Sequence, residues 1–142
     1  MIIESPREDE YSFIYDSWAN SFRHSFWAGC VPNHLYDQVS REATRSILDR
    51  GAVVLVAVTP IAGQEDQFPE VRRVMGYSVS EPGRGVLHWV YVKNDFRGMG
   101  VGRELLARTC PDGEWTYTFR TRASTRFLGP RFQWNPVAAR LK

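Results

Sequence analysis

The sequence predicts one domain of mixed α/β (α+β) class, and three observations carry that expectation. Strand-period and helix-period segments alternate in the order β-α-α-β-β-β-α-β along most of the chain. Two runs, VVLVAVT at 53–59 and VLHWVYV at 86–92, are apolar on both faces, as strands inside a covered sheet are. The second run passes through a short polar linker into Gly98, Gly100 and Gly102, and a helical pattern follows at once. A chain of 142 residues buries a core without disulfide or metal staples. No repeat, low-complexity run or linker divides it, so residues 1–142 read as a single domain.

Residues 1–4 form a short first strand. Ser5 then caps a helix with Pro6 at its first position and Glu8, Asp9 and Glu10 in its first turn, running to about Phe22. Phe13, Ile14, Trp18 and Phe22 supply its buried face, and residues 23–32 are a loop rich in aromatic and small residues. A second helix spans 33–50, capped by Asn33, with Leu35, Val39, Ala43 and Ile47 recurring every four residues and Gly51 just beyond. Strands follow at 53–59, 73–80 and 86–92, the last two joined by the turn EPGRG at 81–85. The helix after the glycines stops before Pro111 and Gly113. EWTYTF at 114–119 alternates three aromatics with threonines and reads as a strand with one aromatic face. In the tail, Pro130 and Pro136 limit regular structure around Phe127, Phe132 and Trp134.

Composition excludes several classes. The longest apolar run, 52–58, is far shorter than the roughly 20 residues a membrane helix needs. The opening MIIESPREDE has neither a basic n-region nor an apolar h-region, so no secretory signal is expected. Cys30 and Cys110 lie far apart without metal-ligand spacing and read as reduced, buried thiols of a cytoplasmic protein. Charge is unevenly spread: residues 1–70 hold five basic and eleven acidic side chains, residues 71–142 thirteen and five. The tail from 120 onward has six basic residues and no acid, which is either a solvated face or a surface for phosphates of a cofactor or nucleic acid.

The glycines discriminate among phosphate sites. No GxxxxGK[ST] loop is present, and a GxGxxG fingerprint fails because Arg103 stands at its third glycine. What fits is RxxGxG: Arg97, Gly98, Met99, Gly100, Val101, Gly102. Backbone without Cβ atoms can turn tightly and aim successive N–H groups at an anion, and the helix start adds unpaired N–H groups and its positive dipole end. Arg97 or Arg103 can add charge-assisted bonds, and a pyrophosphate is the natural guest.

At these residues the chain resembles the GNAT superfamily of acyl-CoA-dependent N-acyltransferases, whose R/Q-x-x-G-x-G/A motif it matches directly after the expected apolar fourth strand. FIYDSWANSFRHS and LHWVYV are also similar to short phage and prophage proteins of that type. The resemblance implies a mostly antiparallel twisted sheet splayed between its fourth and fifth strands. It further implies acetyl-CoA as cofactor: pyrophosphate on Arg97, Gly98, Met99, Gly100, Val101, Gly102 and Arg103, and the pantetheine arm along the main chain of Val90, Tyr91 and Val92. Transfer by direct attack of an amine follows, with a backbone N–H, taken here as that of Val92, polarising the carbonyl.

His88 is the expected base, since imidazole titrates near neutrality. It stands nine residues before Arg97, an offset shared with the arylalkylamine N-acetyltransferases, although Val86 occupies the place of their second histidine. The family's usual acidic tyrosine is replaced by Phe127 in Ala123-x-x-x-Phe127, leaving Tyr91, Tyr117 or Ser124 as substitutes, or an unassisted thiolate. The resemblance also implies an acceptor pocket built by the first two helices and their connection, where Trp18, Phe22, His24, Phe26, Trp27, His34 and Tyr36 fall; Trp18 and Phe22 read as core, and Trp27, His34 and Tyr36 stay open. Partners are a small-molecule or protein amine, with a homodimer open. The alternatives are a nucleic-acid-modifying enzyme of phage type, suggested by the basic tail, and a non-catalytic acyl-CoA binder, suggested by Phe127.

Overall fold

The computed structural model describes residues 1–23, 31–61 and 71–140. Six strands lie side by side in sequence order: β1 (Ile2–Glu4), β2 (Val53–Pro60), β3 (Arg72–Glu81), β4 (Val86–Val92), β5 (Trp115–Tyr117) and β6 (Phe132–Trp134). β1 to β4 pair antiparallel, whereas β5 runs parallel to β4 and β6 parallel to β5. The helices are α1 (Tyr11–Arg23), α2 (Asn33–Asp49), α3 (Val101–Thr109) and α4 (Arg122–Phe127). The predicted mixed α+β class and the order of its first eight elements are observed.

Alternation along β2 builds both layers, because successive side chains point to opposite faces. Val54, Val56 and Val58 join Ile14 and Trp18 of α1 and Ile47 of α2 on one face. Ala57 meets Val101 and Leu105 of α3 on the other. Each large side chain so buried contributes about 1.5–3 kcal/mol. Trp18 and Phe22 are core, as expected: Trp18 stacks on Trp89 at 6.1 Å, and Phe22 meets Trp89 edge-on.

Four local expectations are corrected. The first helix starts at Tyr11 behind a 3-10 turn, Glu8–Glu10, rather than at Pro6. Glu10 accepts from the Arg7 amide at 2.8 Å and also takes a two-pronged bond from Arg72, which pins the turn to β3. In α2 the buried residues are Tyr36, Thr44 and Ile47, while Leu35 and Val39 are exposed. Steps of four advance about 40° beyond a full turn, so a strict four-residue repeat drifts off the core. Asn33 is inside that helix rather than its cap, its side chain accepting from Arg23. Finally, the tail holds regular structure despite its prolines. Thr121 and Ser124 cap α4 reciprocally, and Pro130 and Pro136 flank β6, an outermost strand where missing amides are tolerated.

Close approach of β3 and β4 depends on Gly76, where a Cβ would overlap the Tyr91 carbonyl oxygen. Gly76→Ala is expected to destabilise the fold by about 1–3 kcal/mol. Urea unfolding checks this, and an unchanged midpoint would show that β4 can move aside.

Candidate active site

β4 and β5 form a fork. They pair only at Val86↔Thr116 and Leu87↔Tyr117, and a last rung runs from the Thr118 amide to the Leu87 carbonyl at 3.2 Å. β5 accordingly ends at Tyr117, short of the expected 119. At the same level β4 carries a bulge: Ser80 faces Leu87 and Val79 faces Trp89, so His88 is the extra residue. The extra residue reverses the alternation, which puts Leu87 with Cys110 and Tyr117 but Trp89 with Trp18. Between the parted strands lies a cavity of about 210 Å³. Leu87 and His88 line its vertex end, Val90 and Val92 its β4 side, Tyr117 and Phe119 the opposite side, and Arg97, Gly102, Ser124 and Phe127 its mouth.

The mouth opens on the glycine segment. After a 3-10 turn at Asn94–Phe96, Gly98 (φ 78°) and Gly100 (φ 84°) adopt the left-handed conformation that side chains disfavour. Gly100 caps α3, and its carbonyl accepts from the Glu104 amide at 3.0 Å. The amides of Val101, Gly102 and Arg103 therefore begin the helix without an intrahelical acceptor. A Cβ at Gly98 or Gly100 would meet nothing within 4 Å, so the loop is open on its outer side. Arg97 is partly committed, its Nε donating to the Val92 carbonyl at 2.9 Å, and Met99 is largely exposed. Val101 is buried against the sheet, so it anchors the helix rather than facing an anion with its side chain. At Gly102 an added Cβ would lie 3.4 Å from both Val92 and Phe127, so α3, β4 and α4 converge there.

His88 is 2 % exposed and held at both ring nitrogens: Nε2 lies 2.7 Å from Glu81 Oε2, and Nδ1 2.8 Å from Thr118 Oγ1. Glu81 also accepts two bonds from Arg50, each 2.9 Å, and one from Arg84 at 2.6 Å. Burial alone would raise the Glu81 carboxyl, but the bonds from Arg50 and His88 outweigh it and hold the group at about 2. For His88, burial is the main cause of a lowered value, and Arg50 and Arg84 act in the same direction against the pull of Glu81. The imidazole is thus neutral at pH 7, and neither nitrogen is open to an amine directly.

Other expected groups separate. The Tyr91 ring packs against Phe13 and Tyr77 and does not line the cavity, and its carbonyl faces Gly76 of β3, so the expected roles of Tyr91 are not supported by its position. The Ser124 hydroxyl is absorbed in its cap, donating to the Thr121 carbonyl and accepting from the Thr121 amide. Tyr117 lines the cavity, and its hydroxyl makes no hydrogen bond among the described residues. Tyr36 is buried and donates to the Ala19 carbonyl, which makes it structural, whereas His34 is exposed. His24, Phe26, Trp27 and Cys30 lie outside the described residues. Cys110 is a buried free thiol pushed by burial to about 12.

Part of the tail's basic charge is structural. Arg131 bonds the carbonyls of Cys110, Pro111 and Gly113, and Arg120 covers the Trp134 ring. Among the described residues no group of side chains could hold a metal, and no helix is long and apolar enough to cross a membrane. Sequence reasoning missed Glu81, Arg50, Arg84 and Thr118. Glu81 stood inside a turn signal, and nothing local announces the bulge that turns His88 toward it.

The profile of the acetyltransferase (GNAT) family matches residues 14–115. No curated protein matches the sequence significantly. Among solved structures, the chain is similar to the ribosomal-protein-alanine N-acetyltransferase of Brucella melitensis at 23 % identity and TM-score 0.44, over 77 % of this chain and 64 % of that one. It is likewise similar to a Salmonella typhimurium protein assigned as an acetyltransferase and solved with acetyl-CoA, at 23 % identity and TM-score 0.43, over 77 % and 60 %. The chain thus spans less than two thirds of the length of either.

The buried network has a pH signature. Unfolded, His88 returns toward 6.5 and Glu81 toward 4.5, so on acidification the unfolded chain takes up protons that the folded chain refuses. Stability is therefore complete above about pH 6.5. It falls below that as His88 titrates in the unfolded state, and falls again between about 4.5 and 2 through Glu81. Urea midpoints measured from pH 8 to 5 should decline in the wild type and decline less in His88→Gln. Parallel curves would contradict the lowered imidazole.

Proposed function

The chain belongs to the acetyltransferase (GNAT) family, and we propose that it is an N-acyltransferase moving an acetyl group from coenzyme A to an amine. One observation carries this reading: a single cavity runs from Arg97 and Gly102 at the glycine loop to His88 and Leu87 at the strand vertex. An apolar cleft that ends beside a helix N-terminus suits a long flexible arm with an anionic head. The loop fits the head, because left-handed Gly98 and Gly100 leave open the side that a Cβ would fill.

In this reading the amides of 98–103 hold the pyrophosphate, with Arg97 and exposed Arg103 adding charge. The main chain of Val90 and Val92, on the side of β4 turned away from β3, bonds the amides of the pantetheine arm, as an added strand would, while Tyr91 keeps its pairing with Tyr77. The bound thioester supplies an activated carbonyl and a thiol leaving group. The apolar walls exclude water, which strengthens any backbone N–H aimed at the developing oxyanion, that of Val92 included. Tyr117 takes the role of proton donor to the leaving sulfur in place of Phe127, since its ring lines the cavity and its hydroxyl is uncommitted among the described residues.

Acetyl-CoA at one hundred times its Kd should add about 2.7 kcal/mol of stability, read as a higher melting temperature, while NAD should add none. Gly100→Val should remain folded, losing about 1–3 kcal/mol to left-handed strain, because its side chain meets no neighbour. It should also lose the acetyl-CoA shift entirely. A full shift in Gly100→Val, or none in the wild type, would refute the assignment.

A further inference from the structure

Leu87, Trp89 and Tyr117 line the cleft as buried side chains, whereas Phe127 lines its mouth and is 47 % exposed. We propose that Phe127 is a cofactor-binding residue. Its ring, with Val92 on β4 and Gly102 on α3, forms an apolar collar around the pantetheine arm. The inference rests on the acyltransferase reading of the cleft.

Gly102 points to the collar, because its backbone gives no reason for a glycine. Gly98 and Gly100 have positive φ, but Gly102 sits in the first turn of α3 with helical backbone. What its missing side chain leaves is space. A Cβ there would lie 3.4 Å from the Phe127 ring and 3.4 Å from Val92, so both border one gap. All three residues line the cavity, as does Arg97 at the edge of the glycine loop. An arm running from the strand vertex to the amides of that loop passes this gap.

Phe127 reaches the gap through the way α4 is held. Ala123, Ser124, Phe127 and Leu128 line the cavity, a spacing that places them on one face of the helix. Arg122 and Arg126 are exposed on the other face. The reciprocal cap of Thr121 and Ser124 secures the start of the helix. At its end Leu128 packs against the cluster that holds Leu87, Cys110 and Tyr117. No residue of α4 itself is buried, so the Phe127 ring is not what fixes the helix to the sheet. Single exposed apolar residues are ordinary on protein surfaces; what sets Phe127 apart is the cavity it borders. A phenyl ring half in water forgoes hydrophobic stabilisation, and an uncharged chain lying in the gap restores it. The arm suits this place better than the nucleotide head does. The loop is open on the outer side of Gly98 and Gly100, whereas Phe127 stands at Gly102, on the side of the cleft.

Calorimetric titration tests the collar with two probes. One is acetyl-CoA, and the other is adenosine 3′,5′-bisphosphate, a nucleotide head without the arm. Phe127→Ala should bind acetyl-CoA about tenfold more weakly and bind the bisphosphate as the wild type does. Phe127→Leu, which keeps apolar bulk, should recover most of the lost affinity. Gly102→Ala keeps the amide and fits the ligand-free protein, since its methyl group makes ordinary contacts, so its melting temperature should not fall. That methyl group fills the gap, and acetyl-CoA should bind several-fold more weakly. Full acetyl-CoA affinity in Phe127→Ala, or an equal loss for both probes, would overturn the collar while leaving the cofactor assignment standing. A wild type that binds no acetyl-CoA would instead bring down both. Where Phe127→Ala fails to fold, Gly102→Ala decides, and full affinity in that variant would overturn the proposal.

Discussion

Everything distinctive in this molecule depends on a sheet that stops being hydrogen-bonded along part of one strand pair. β4 and β5 share two residue pairs and then part, leaving main-chain groups beside an apolar cavity. Unpaired backbone in an apolar setting is costly to leave unsatisfied, so such an edge calls for a partner with amides of its own. A parallel neighbour that merely continued would have closed the cavity. Separation is what leaves an open cleft in what would otherwise be a plain layered sheet.

Holding a fork open needs something stiff at its vertex. Here the stiffness is polar: Glu81 gathers Arg50 from the end of α2, Arg84 from the turn before β4, and His88 from the bulge. His88 then reaches across to Thr118 on the other arm. Such a network is weak evidence for net stability, because desolvating the charges offsets their attraction. Its merit is directional, since four elements are tied at one carboxylate with little freedom of rotation. The apolar clusters on either side fill space but would tolerate sliding far better.

Legibility followed the range of the interactions. Strand–glycine–helix order from 86 to 109 was readable because each piece obeys its neighbours: β-branched residues, then backbone freedom at Gly98 and Gly100, then helical periodicity. The left-handed glycine loop came with it. Features that failed were those where a distant group overrode a local signal. Arg72 drew Glu10 out of the expected first turn of the helix, and Leu35 and Val39 lost the core to Tyr36 and Thr44 through helical drift. α4 and β6 were hidden because proline marks a boundary more loudly than a short element announces itself.

By itself the sequence determined the class of fold, the strands with two covered faces, and the glycine loop with its arginines. These depend on chain stiffness, side-chain periodicity and the absence of Cβ atoms, which act over a few residues. Tertiary structure alone decided that Glu81 and Thr118 would flank His88, that the Tyr91 hydroxyl would leave the cleft, and that Tyr117 would face it. Those outcomes turn on one extra residue in β4 and on where two strands cease to pair, and a register is settled only when both strands are present.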